Sequence, residues 1–354
     1  MSDKIVDIDG SQGEGGGQVL RTILSLSALT GRAVRFSNIR AGRSRPGLRP
    51  QHLTAVRAVA AVCDARLEHD TIDSQSLTFA PQTFPQAGAY AFDVQDVAPH
   101  GSAGSVTLIL KALLWPLLFA GGPSQLTLRG GTHVPFSPPF QYVENVTRPA
   151  FARFGADFDL RLAEWGWLPA GEGEIEAEIR PLRQLRAATF AHLPREKVHG
   201  LAAVTNLPSH IPHRMARRAD NLLREAGLDT SIRPLRERGP GPGAGIFLWL
   251  PQAGFTCLGR KGMPSEKVAE EAVADLLAFV DNDTAAVDEH LADQLLIPMA
   301  LADGRSTFTT HRLTSHTFTN AALLRRWLGV TIVIEGQEGE PGRVEVEGSG
   351  LKLS

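Results

Sequence analysis

The feature that most constrains the fold is a short strand followed by a glycine-rich turn and an apolar helix. Residues 5–9 alternate between apolar and polar types, and residues 10–17 are rich in glycine. Residues 19–29 repeat apolar side chains at helical spacing before Gly31, which is placed to end the helix. The same order returns at residues 90–129, and a related order of helices and strands occupies residues 290–346. Three units of strands and helices joined by glycine-containing turns predict a repeated α/β architecture.

The pattern changes between the second and third units. Residues 214–226 and 268–280 have helical patterns, and residues 246–250 have the pattern of a strand. The intervening residues 239–245 contain only glycine, proline and one alanine, which is typical of a loop. We therefore expect a smaller α/β domain at residues 182–282, inserted into a large domain made of residues 1–181 and 283–354.

Composition excludes several classes of protein. The chain has 354 residues, with 36 Lys+Arg and 38 Asp+Glu for a net charge of −2, and 43% of its residues are hydrophobic. These values exclude a disordered or fibrous chain. They also exclude a protein that binds nucleic acid non-specifically through a broadly basic surface, so any nucleic-acid contact must come from a local basic patch. Two distant cysteines, Cys63 and Cys257, argue against a disulfide framework and a cysteine-based zinc site. With neither a signal-peptide pattern nor an apolar run of about 20 residues, we expect a cytoplasmic protein without a membrane segment.

Two early loops carry groups that suit phosphate. The glycine-rich loop precedes a helix N-terminus, where backbone N–H groups favour anions, and Glu14 within it suits a divalent metal. Gln18 and Arg21 follow at a spacing that places them near one helical face. Four arginines lie within residues 40–49, and guanidinium groups match phosphate oxygens, with His52 on the next helix able to face them. The plainer interpretations are a tight turn and a solvated basic loop.

Two later segments are weaker candidates. Residues 129–139 form a rigid strand-to-loop run that suits either a ligand cleft or a structural turn. Asp293 and Gln294 interrupt an apolar helix, and His316 lies just before a helix predicted at residues 320–328. Spacing alone does not select His316 among 11 histidines, because a lone histidine is usually a surface residue or a satisfied core residue.

Taken in order, these segments resemble the RNA 3′-terminal phosphate cyclases. Residues 9–21, Asp-Gly-Ser-Gln-Gly-Glu-Gly-Gly-Gly-Gln-Val-Leu-Arg, are similar to the N-terminal signature of that family. Segments at residues 39–43, 46–48, 51–55, 101–105, 130–132 and 291–295 follow in the family's order. His316 begins a segment that resembles the family's catalytic His-x-x-Thr-Asn pattern, and the resemblance extends over residues 9–346.

The resemblance implies both a fold and a reaction. The implied fold is α/β (α+β), with three repeated β-α-β-α-β-β units in a large domain and a smaller inserted α/β domain. The implied reaction is ATP-dependent conversion of an RNA 3′-terminal phosphate to a 2′,3′-cyclic phosphate. His316 would attack the α-phosphorus of ATP to give an adenylyl-histidine. AMP would then pass to the RNA as RNA-(3′)pp(5′)A, from which the vicinal 2′-OH expels it.

The resemblance also assigns roles to individual residues, with His316 as the catalytic residue and Glu14 as the ligand of a divalent cation, Mg²⁺ or Mn²⁺. The residues it assigns to ATP are His290, Leu291, Ala292, Asp293, Gln294, Lys111 and Pro135. The residues it assigns to the phosphate of an RNA 3′ end are Gln18, Arg21, Arg40, Arg43, Gln51 and His52. The chain departs from the family pattern at Lys111, where glutamine is frequent, and at His290, where an aromatic residue is usual.

Two other functions compete with this interpretation. A branch of the family that acts in ribosome maturation lacks the catalytic histidine, so a non-catalytic RNA-binding protein of the same fold is one alternative. The presence of His316 argues against it. A small-molecule transferase of similar repeated fold, such as an enolpyruvyl transferase, needs neither the arginine cluster nor an adenylylated histidine.

Overall fold

The structure is a computed structural model that describes residues 5–11, 13, 16–98, 101–192 and 197–352. The first unit consists of β1 (Val6–Asp9), α1 (Gly17–Thr30), β2 (Val34–Ser37), α2 (Pro50–Cys63), β3 (Arg66–Glu68) and β4 (Leu77–Ala80). Its sheet has the strand order β1-β2-β4-β3, with β1 parallel to β2. Gly31 ends α1 in the left-handed conformation and Pro50 opens α2, as the sequence predicts.

The second unit repeats this arrangement. After β5 (Ala89–Asp93) and a 3-10 turn at Val94–Val97 come α3 (Val106–Leu118) and β6 (Ser124–Gly130). A helical segment follows, made of α4 (Phe140–Tyr142), a π-helical turn at Val143–Thr147 and α5 (Arg148–Ala152), before β7 (Asp157–Glu164) and β8 (Gly173–Arg180). The sheet order β5-β6-β8-β7, with β5 parallel to β6, matches that of the first unit position by position.

A separate sheet follows in the chain. Its elements are β9 (Lys197–Thr205), α6 (His210–Glu225), β10 (Asp229–Glu237), β11 (Gly243–Leu250), β12 (Ala253–Leu258) and α7 (Ser265–Val280). The strand order is β10-β9-β11-β12, and both helices share a hydrophobic core with this sheet. α6 begins at His210 rather than at residue 214, because Pro212 is tolerated in the first turn of a helix. The boundaries at residues 182 and 282 stay a prediction.

The third unit completes the repeat. Its elements are α8 (Glu289–Leu301), β13 (Arg305–Thr310), α9 (Ser315–Leu328), β14 (Thr331–Glu335) and β15 (Gly342–Glu347), with the sheet order β13-β15-β14. A single parallel bridge between Val287 and Thr310 stands where the other units have a first parallel strand. The predicted mixed α/β fold with repeated units is confirmed.

Helices from the three units pack together and share one hydrophobic core. Ser25 of α1 donates to the carbonyl of Ala112 in α3 at 2.7 Å, and Thr22 of α1 donates to Asn320 of α9 at 3.3 Å. α1 therefore lies between a helix of the second unit and a helix of the third. Within the part of the chain that the structure describes, none of the helices combines the length and apolarity that crossing a bilayer requires.

Candidate active site

Five helices bring one polar side chain each into a common region. These side chains are His316 of α9, Asp293 of α8, Lys111 of α3, Arg21 of α1 and His52 of α2. The charges of Asp293, Lys111 and Arg21 all act on the imidazole of His316, and the charge of Arg21 acts on the imidazole of His52. Residues from all three units, distant in the chain, thus share one electrostatic environment.

His316 occupies the first turn of α9. Thr314 caps this helix by accepting a hydrogen bond from the backbone N–H of Thr317 at 3.2 Å, and Thr317 returns the interaction by accepting from the N–H of Thr314 at 3.4 Å. The prediction that His316 precedes a helix beginning at residue 320 is therefore wrong. The hydroxyl residues around His316 resemble a loop in composition, but here they form a capping box that starts the helix earlier.

The imidazole of His316 is held in its neutral form. Burial lowers the pKa of His316, the carboxylate of Asp293 opposes this shift, and the charges of Lys111, Arg21 and Arg43 reinforce it. Nδ1 of His316 is buried from solvent. A neutral imidazole nitrogen with a free lone pair is a competent nucleophile near pH 7.

Asp293 ties α8 to the start of α9. Its Oδ1 accepts hydrogen bonds from the hydroxyls of Thr317 at 2.6 Å and Thr314 at 2.7 Å, and the side chain is almost fully buried. Burial raises the pKa of Asp293, while these hydroxyls and the charges of His316 and Lys111 oppose that shift. Because both donors belong to the cap of α9, the same contacts position the carboxylate and the imidazole relative to each other.

Arg21 and Lys111 are largely buried cations. Burial lowers the pKa of Arg21 to about 10, with help from the charge of Arg40. Burial likewise lowers the pKa of Lys111 to about 8; Arg21 adds to this shift and Asp293 opposes it. Neither side chain has a hydrogen bond or ion pair with any residue in the described ranges, and Nε of Arg21 and Nε2 of Gln18 are buried without a partner there. Buried charge of this kind is costly unless a counter-ion is bound, so these groups suit an anion.

Gly17 makes room for two of the predicted phosphate ligands. A Cβ atom at Gly17 would overlap Nε2 of His52 and would lie 2.9 Å from Nη1 of Arg21. Nδ1 of His52 accepts from the backbone N–H of Arg49 at 3.3 Å. Burial lowers the pKa of His52 well below its usual value, and the charges of Arg21, Arg40 and Arg49 lower it further. The neutral ring therefore carries its proton on Nε2, the nitrogen that faces Gly17 and Arg21, where it can donate to an anion.

The glycine-rich loop also contacts the helix that carries His316. Gly13 has a positive φ of 64°, and a Cβ atom there would overlap the hydroxyl of Thr319 in α9. Glycine is required on both counts, since a side chain would strain the backbone and push α9 away.

The four arginines of the basic loop are not equivalent. Nη1 of Arg40 donates to the carbonyls of Arg45 at 2.8 Å and Gly47 at 2.9 Å, so this guanidinium braces its own loop. Arg49 forms an ion pair with Asp73. Arg43 and Arg45 are exposed, and of the four arginines Arg43 is the one whose charge is among the main influences on the pKa of His316.

Gln51 joins the first two units. Its Oε1 accepts a hydrogen bond from the backbone N–H of Ser105 at 2.9 Å. A Cβ atom at Gly104 would lie 2.9 Å from Cβ of Gln51, so the loop before α3 packs closely against the start of α2. The arrangement brings the second glycine loop to the residues predicted to bind phosphate.

The predicted nucleotide ligands of α8 differ in accessibility. The side chain of His290 is 67% exposed, whereas those of Leu291 and Ala292 are fully buried in the core. Any contact that Leu291 and Ala292 make with a nucleotide must therefore involve backbone atoms. Nε2 of Gln294 donates to the carbonyl of His290 at 3.1 Å, and its Oε1 accepts from Thr147 at 3.2 Å.

Asp288 and Tyr142 support this face of α8, and sequence reasoning did not select either residue. The buried carboxylate of Asp288 accepts from the backbone N–H groups of His290 at 2.7 Å and Leu291 at 2.9 Å, and from the hydroxyl of Tyr142 at 2.9 Å. Burial raises the pKa of Asp288 and raises that of Tyr142 well above its usual value. An aspartate directly before an apolar helical run is an N-cap signal that was available in the sequence.

His133, in the segment of residues 129–139, has a structural role. Its ring lies 4.4 Å from that of Trp165, 4.8 Å from Trp167 and 5.2 Å from Phe247 of β11. Burial lowers the pKa of His133 to about 3, although the hydrogen bond with Gln141 acts in the opposite direction and raises this pKa. The plainer interpretation of a structural turn therefore applies to this histidine, while Pro135 further along the loop is exposed.

Glu14, the predicted metal ligand, lies outside the described residues. Within the described ranges, His, Cys, Asp and Glu side chains form no group of three or more arranged to hold a metal ion.

Comparison with known proteins identifies the family. The family described as RNA 3′-terminal phosphate cyclase matches residues 12–334. This chain belongs to that family. A protein of Trichormus variabilis named RNA 3′-terminal phosphate cyclase is 49% identical over 328 residues, covering 91% of this chain and 94% of the relative. Proteins of the same name from Methylococcus capsulatus and Methanopyrus kandleri are 46% and 41% identical, and each alignment covers 98% of this chain and 97% and 99% of the relative.

Membership of the cyclase family makes the chain an enzyme of RNA processing. Among solved structures, the enolpyruvyl transferase NikO from Streptomyces tendae aligns at 11% identity with a TM-score of 0.39 over 98% of this chain and 49% of that one. This structural similarity is too weak to support the alternative of a small-molecule transferase.

Proposed function

We propose that this cyclase uses ATP to convert an RNA 3′-terminal phosphate to a 2′,3′-cyclic phosphate through adenylyl-His316. One observation carries the proposal: a neutral histidine shares its environment with Arg21 and Lys111, two largely buried cations that form neither an ion pair nor a side-chain hydrogen bond with the described residues. A ligand with several phosphate oxygens would supply the missing negative charge.

In the first step, Nε2 of His316 attacks the α-phosphorus of ATP. A P–N bond forms, the anhydride P–O bond to the β-phosphate breaks, and pyrophosphate leaves. Lys111 and Arg21 offset the negative charge that builds on the phosphate oxygens, and Asp293 stabilises the positive charge that develops on the imidazole ring. The capping contacts of Asp293 with Thr314 and Thr317 keep this geometry unchanged during the reaction.

In the second step, an oxygen of the RNA 3′-phosphate attacks the adenylyl phosphorus. The P–N bond breaks, the lone pair returns to His316, and RNA-(3′)pp(5′)A forms. In the third step, the vicinal 2′-OH attacks the RNA phosphorus. A 2′-O–P bond forms, the anhydride P–O bond to AMP breaks, and the hydroxyl proton passes to solvent. AMP is a better leaving group than the hydroxide that an unactivated phosphate would have to release. The residues proposed to hold the RNA phosphate are Gln18, Arg21, Arg40, Arg43, Gln51 and His52.

The nucleoside of ATP is proposed to lie at the exposed end of α8. His290 and Pro135 are exposed, and Gln294 is fixed by its bonds to Thr147 and the His290 carbonyl. A divalent cation, Mg²⁺ or Mn²⁺, held by Glu14 belongs to this proposal through the resemblance alone, and no step above is routed through it. Such a cation neutralises phosphate charge, so we expect EDTA to stop adenylylation and added Mg²⁺ or Mn²⁺ to restore it.

The test uses an RNA whose terminal 3′-phosphate is radiolabelled. With ATP, the label should become resistant to phosphatase, and it should stay sensitive without ATP or with His316→Ala. His213→Ala is the matched control, because His213 lies on the exposed surface of α6 and should leave conversion unchanged. An RNA with a terminal 2′-deoxynucleotide should accumulate RNA-(3′)pp(5′)A, since the third step lacks its nucleophile.

The alternative of a non-catalytic RNA-binding protein predicts a different result. RNA would bind, but its 3′-phosphate would remain sensitive to phosphatase in the presence of ATP and the divalent cation. We also expect the enzyme to act in the cytoplasm, where ATP and RNA ends are both present, and cell fractionation tests this location.

A further inference from the structure

The loop between β6 and α4 presents an aromatic ring to solvent. Phe136 is 103% exposed, the largest value among the exposed large hydrophobic side chains, and its φ is 61°. A bulky residue rarely adopts a positive φ, because the conformation costs free energy that the surrounding structure must offset. Because the ring of Phe136 is fully exposed, it does not pack in the hydrophobic core, and packing does not explain this conformation.

The loop that carries Phe136 is firmly held on both sides. The hydroxyl of Ser137 donates to the carbonyl of Val134 at 2.9 Å, and the hydroxyl of Thr107 in α3 donates to the carbonyl of Pro138 at 2.6 Å. Prolines at positions 135, 138 and 139 restrict the backbone further. The ring is therefore presented on a preorganised loop, which lowers the entropic cost of binding a flat ligand.

The same loop borders the proposed phosphate site. Thr107 precedes Lys111 by four residues on α3, so the two side chains lie on one face of that helix. At the start of the segment, the backbone N–H of Gly131 donates to the carbonyl of Gly104 at 2.8 Å, beside the contact between Gly104 and Gln51. Residues proposed to bind ATP and residues proposed to bind RNA phosphate thus both neighbour the segment that carries Phe136.

We propose that Phe136 is the stacking platform for the base of the 3′-terminal RNA nucleotide. The inference rests on the proposed function, because RNA-(3′)pp(5′)A joins two nucleosides through a pyrophosphate and the site must accommodate both bases. The adenine is assigned to His290 and Pro135, and the next side chain along the loop is in place for the second base. Aromatic rings bind unpaired bases by stacking on their π-faces, with little dependence on base identity.

The first experiment separates the two substrates. Phe136→Ala should raise KM for a 3′-phosphorylated RNA roughly tenfold. This change corresponds to the lower part of the range of binding free energies measured for stacking one base on an aromatic ring. KM for ATP in the adenylylation of the enzyme should not change. Phe136→Trp should restore RNA binding, whereas Phe136→Leu should not, because leucine is apolar but lacks a π-face. Phe84→Ala is the matched control, since Phe84 is 56% exposed on the loop between β4 and β5.

The second experiment removes the base instead of the ring. A 3′-phosphorylated RNA whose terminal nucleotide is abasic keeps the 2′-OH and the phosphate. The wild-type enzyme should process it as poorly as Phe136→Ala processes intact RNA, and the variant should lose nothing further with the abasic substrate.

Several results overturn the inference: an unchanged KM for RNA in Phe136→Ala, a raised KM for ATP, full rescue by leucine, or additive losses with the abasic RNA. A wild-type enzyme that cyclises no RNA contradicts the proposed function instead. Equilibrium binding of 3′-phosphorylated RNA to the wild type and to Phe136→Ala then still decides the role of the ring. Because Phe136 is fully exposed, the variant should unfold at the wild-type temperature.

Discussion

At the scale of single residues, two titrating groups should shape the pH dependence of adenylylation. His316 has a lowered pKa and must be neutral to react, so kcat/KM for ATP should fall as the pH drops through a value below 6.5. Lys111, with a pKa lowered to about 8, loses its charge as the pH rises through about 8, so kcat/KM should fall there as well. The expected profile is a bell.

Lys111→Gln isolates the alkaline limb of this profile. Glutamine is polar, similar in length to lysine and neutral at every pH, so the variant should remain active and its kcat/KM should no longer fall near pH 8. The acid limb should persist, because His316 is unchanged. Titration of ATP itself is common to both proteins, and an identical alkaline limb in wild type and variant would contradict a role for the Lys111 charge.

The arginine loop permits a matched pair of variants. Arg43→Ala should weaken turnover of the RNA phosphate more than adenylylation of His316, since Arg43 is proposed to bind RNA. Arg45→Ala should change neither step, because Arg45 is exposed and its charge is not among the main influences on the pKa of His316. Both steps are measured with labelled ATP and labelled RNA. Equal losses in both steps for Arg43→Ala would count against a substrate-binding role.

At the scale of elements, the cap of α9 links stability to chemistry. Thr314→Ala removes the capping hydroxyl and one donor to the buried Asp293, so we expect a loss of about 1–2 kcal/mol in the free energy of unfolding. Adenylylation should slow as the carboxylate and the imidazole lose their common support. Thr314→Ser keeps the hydroxyl and should restore both properties. Denaturant unfolding measures the change, and equal stability of the alanine and serine variants would refute the capping role.

Periodicity predicted most elements, and local chemistry explains where it failed. Proline favours the first turn of a helix and glycine favours the position after its last residue. The start of α2 at Pro50 and the end of α1 before Gly31 therefore agree with the prediction. The start of α9 was missed because Thr314 and Thr317 form a capping box, which apolar spacing does not report. The support of α8 by Tyr142 was also missed, because Tyr142 and Asp288 are far apart in the chain and meet only in the folded protein.

At the scale of the whole molecule, the candidate site depends on how the units pack. Local patterns predicted the helices that carry Arg21 and Lys111 and the later part of the helix that carries His316, but they do not indicate that these helices pack together. The ordered motifs of the family supplied that expectation. The fold brings these charges together because α1 packs against both α3 and α9.

The aromatic cluster around His133 links β11 to the second unit. Phe247 is buried against His133 and Trp167, and Gly243 leaves the space that Trp167 occupies. Phe247→Ala should therefore lower the free energy of unfolding by about 3–5 kcal/mol, and Phe247→Leu by less. Urea unfolding followed by tryptophan fluorescence measures both changes. A loss below about 1 kcal/mol for the alanine variant would contradict this account of the packing.

The central claim is that His316 carries the adenylyl group. The most direct measurement incubates the enzyme with ATP labelled at the α-phosphate and a divalent cation, and then maps the labelled residue by peptide mass spectrometry. We predict a single AMP adduct on His316, no adduct in His316→Ala, and full labelling of His213→Ala. Full labelling of His316→Ala, an adduct on another residue, or no adduct on the wild type would contradict the account.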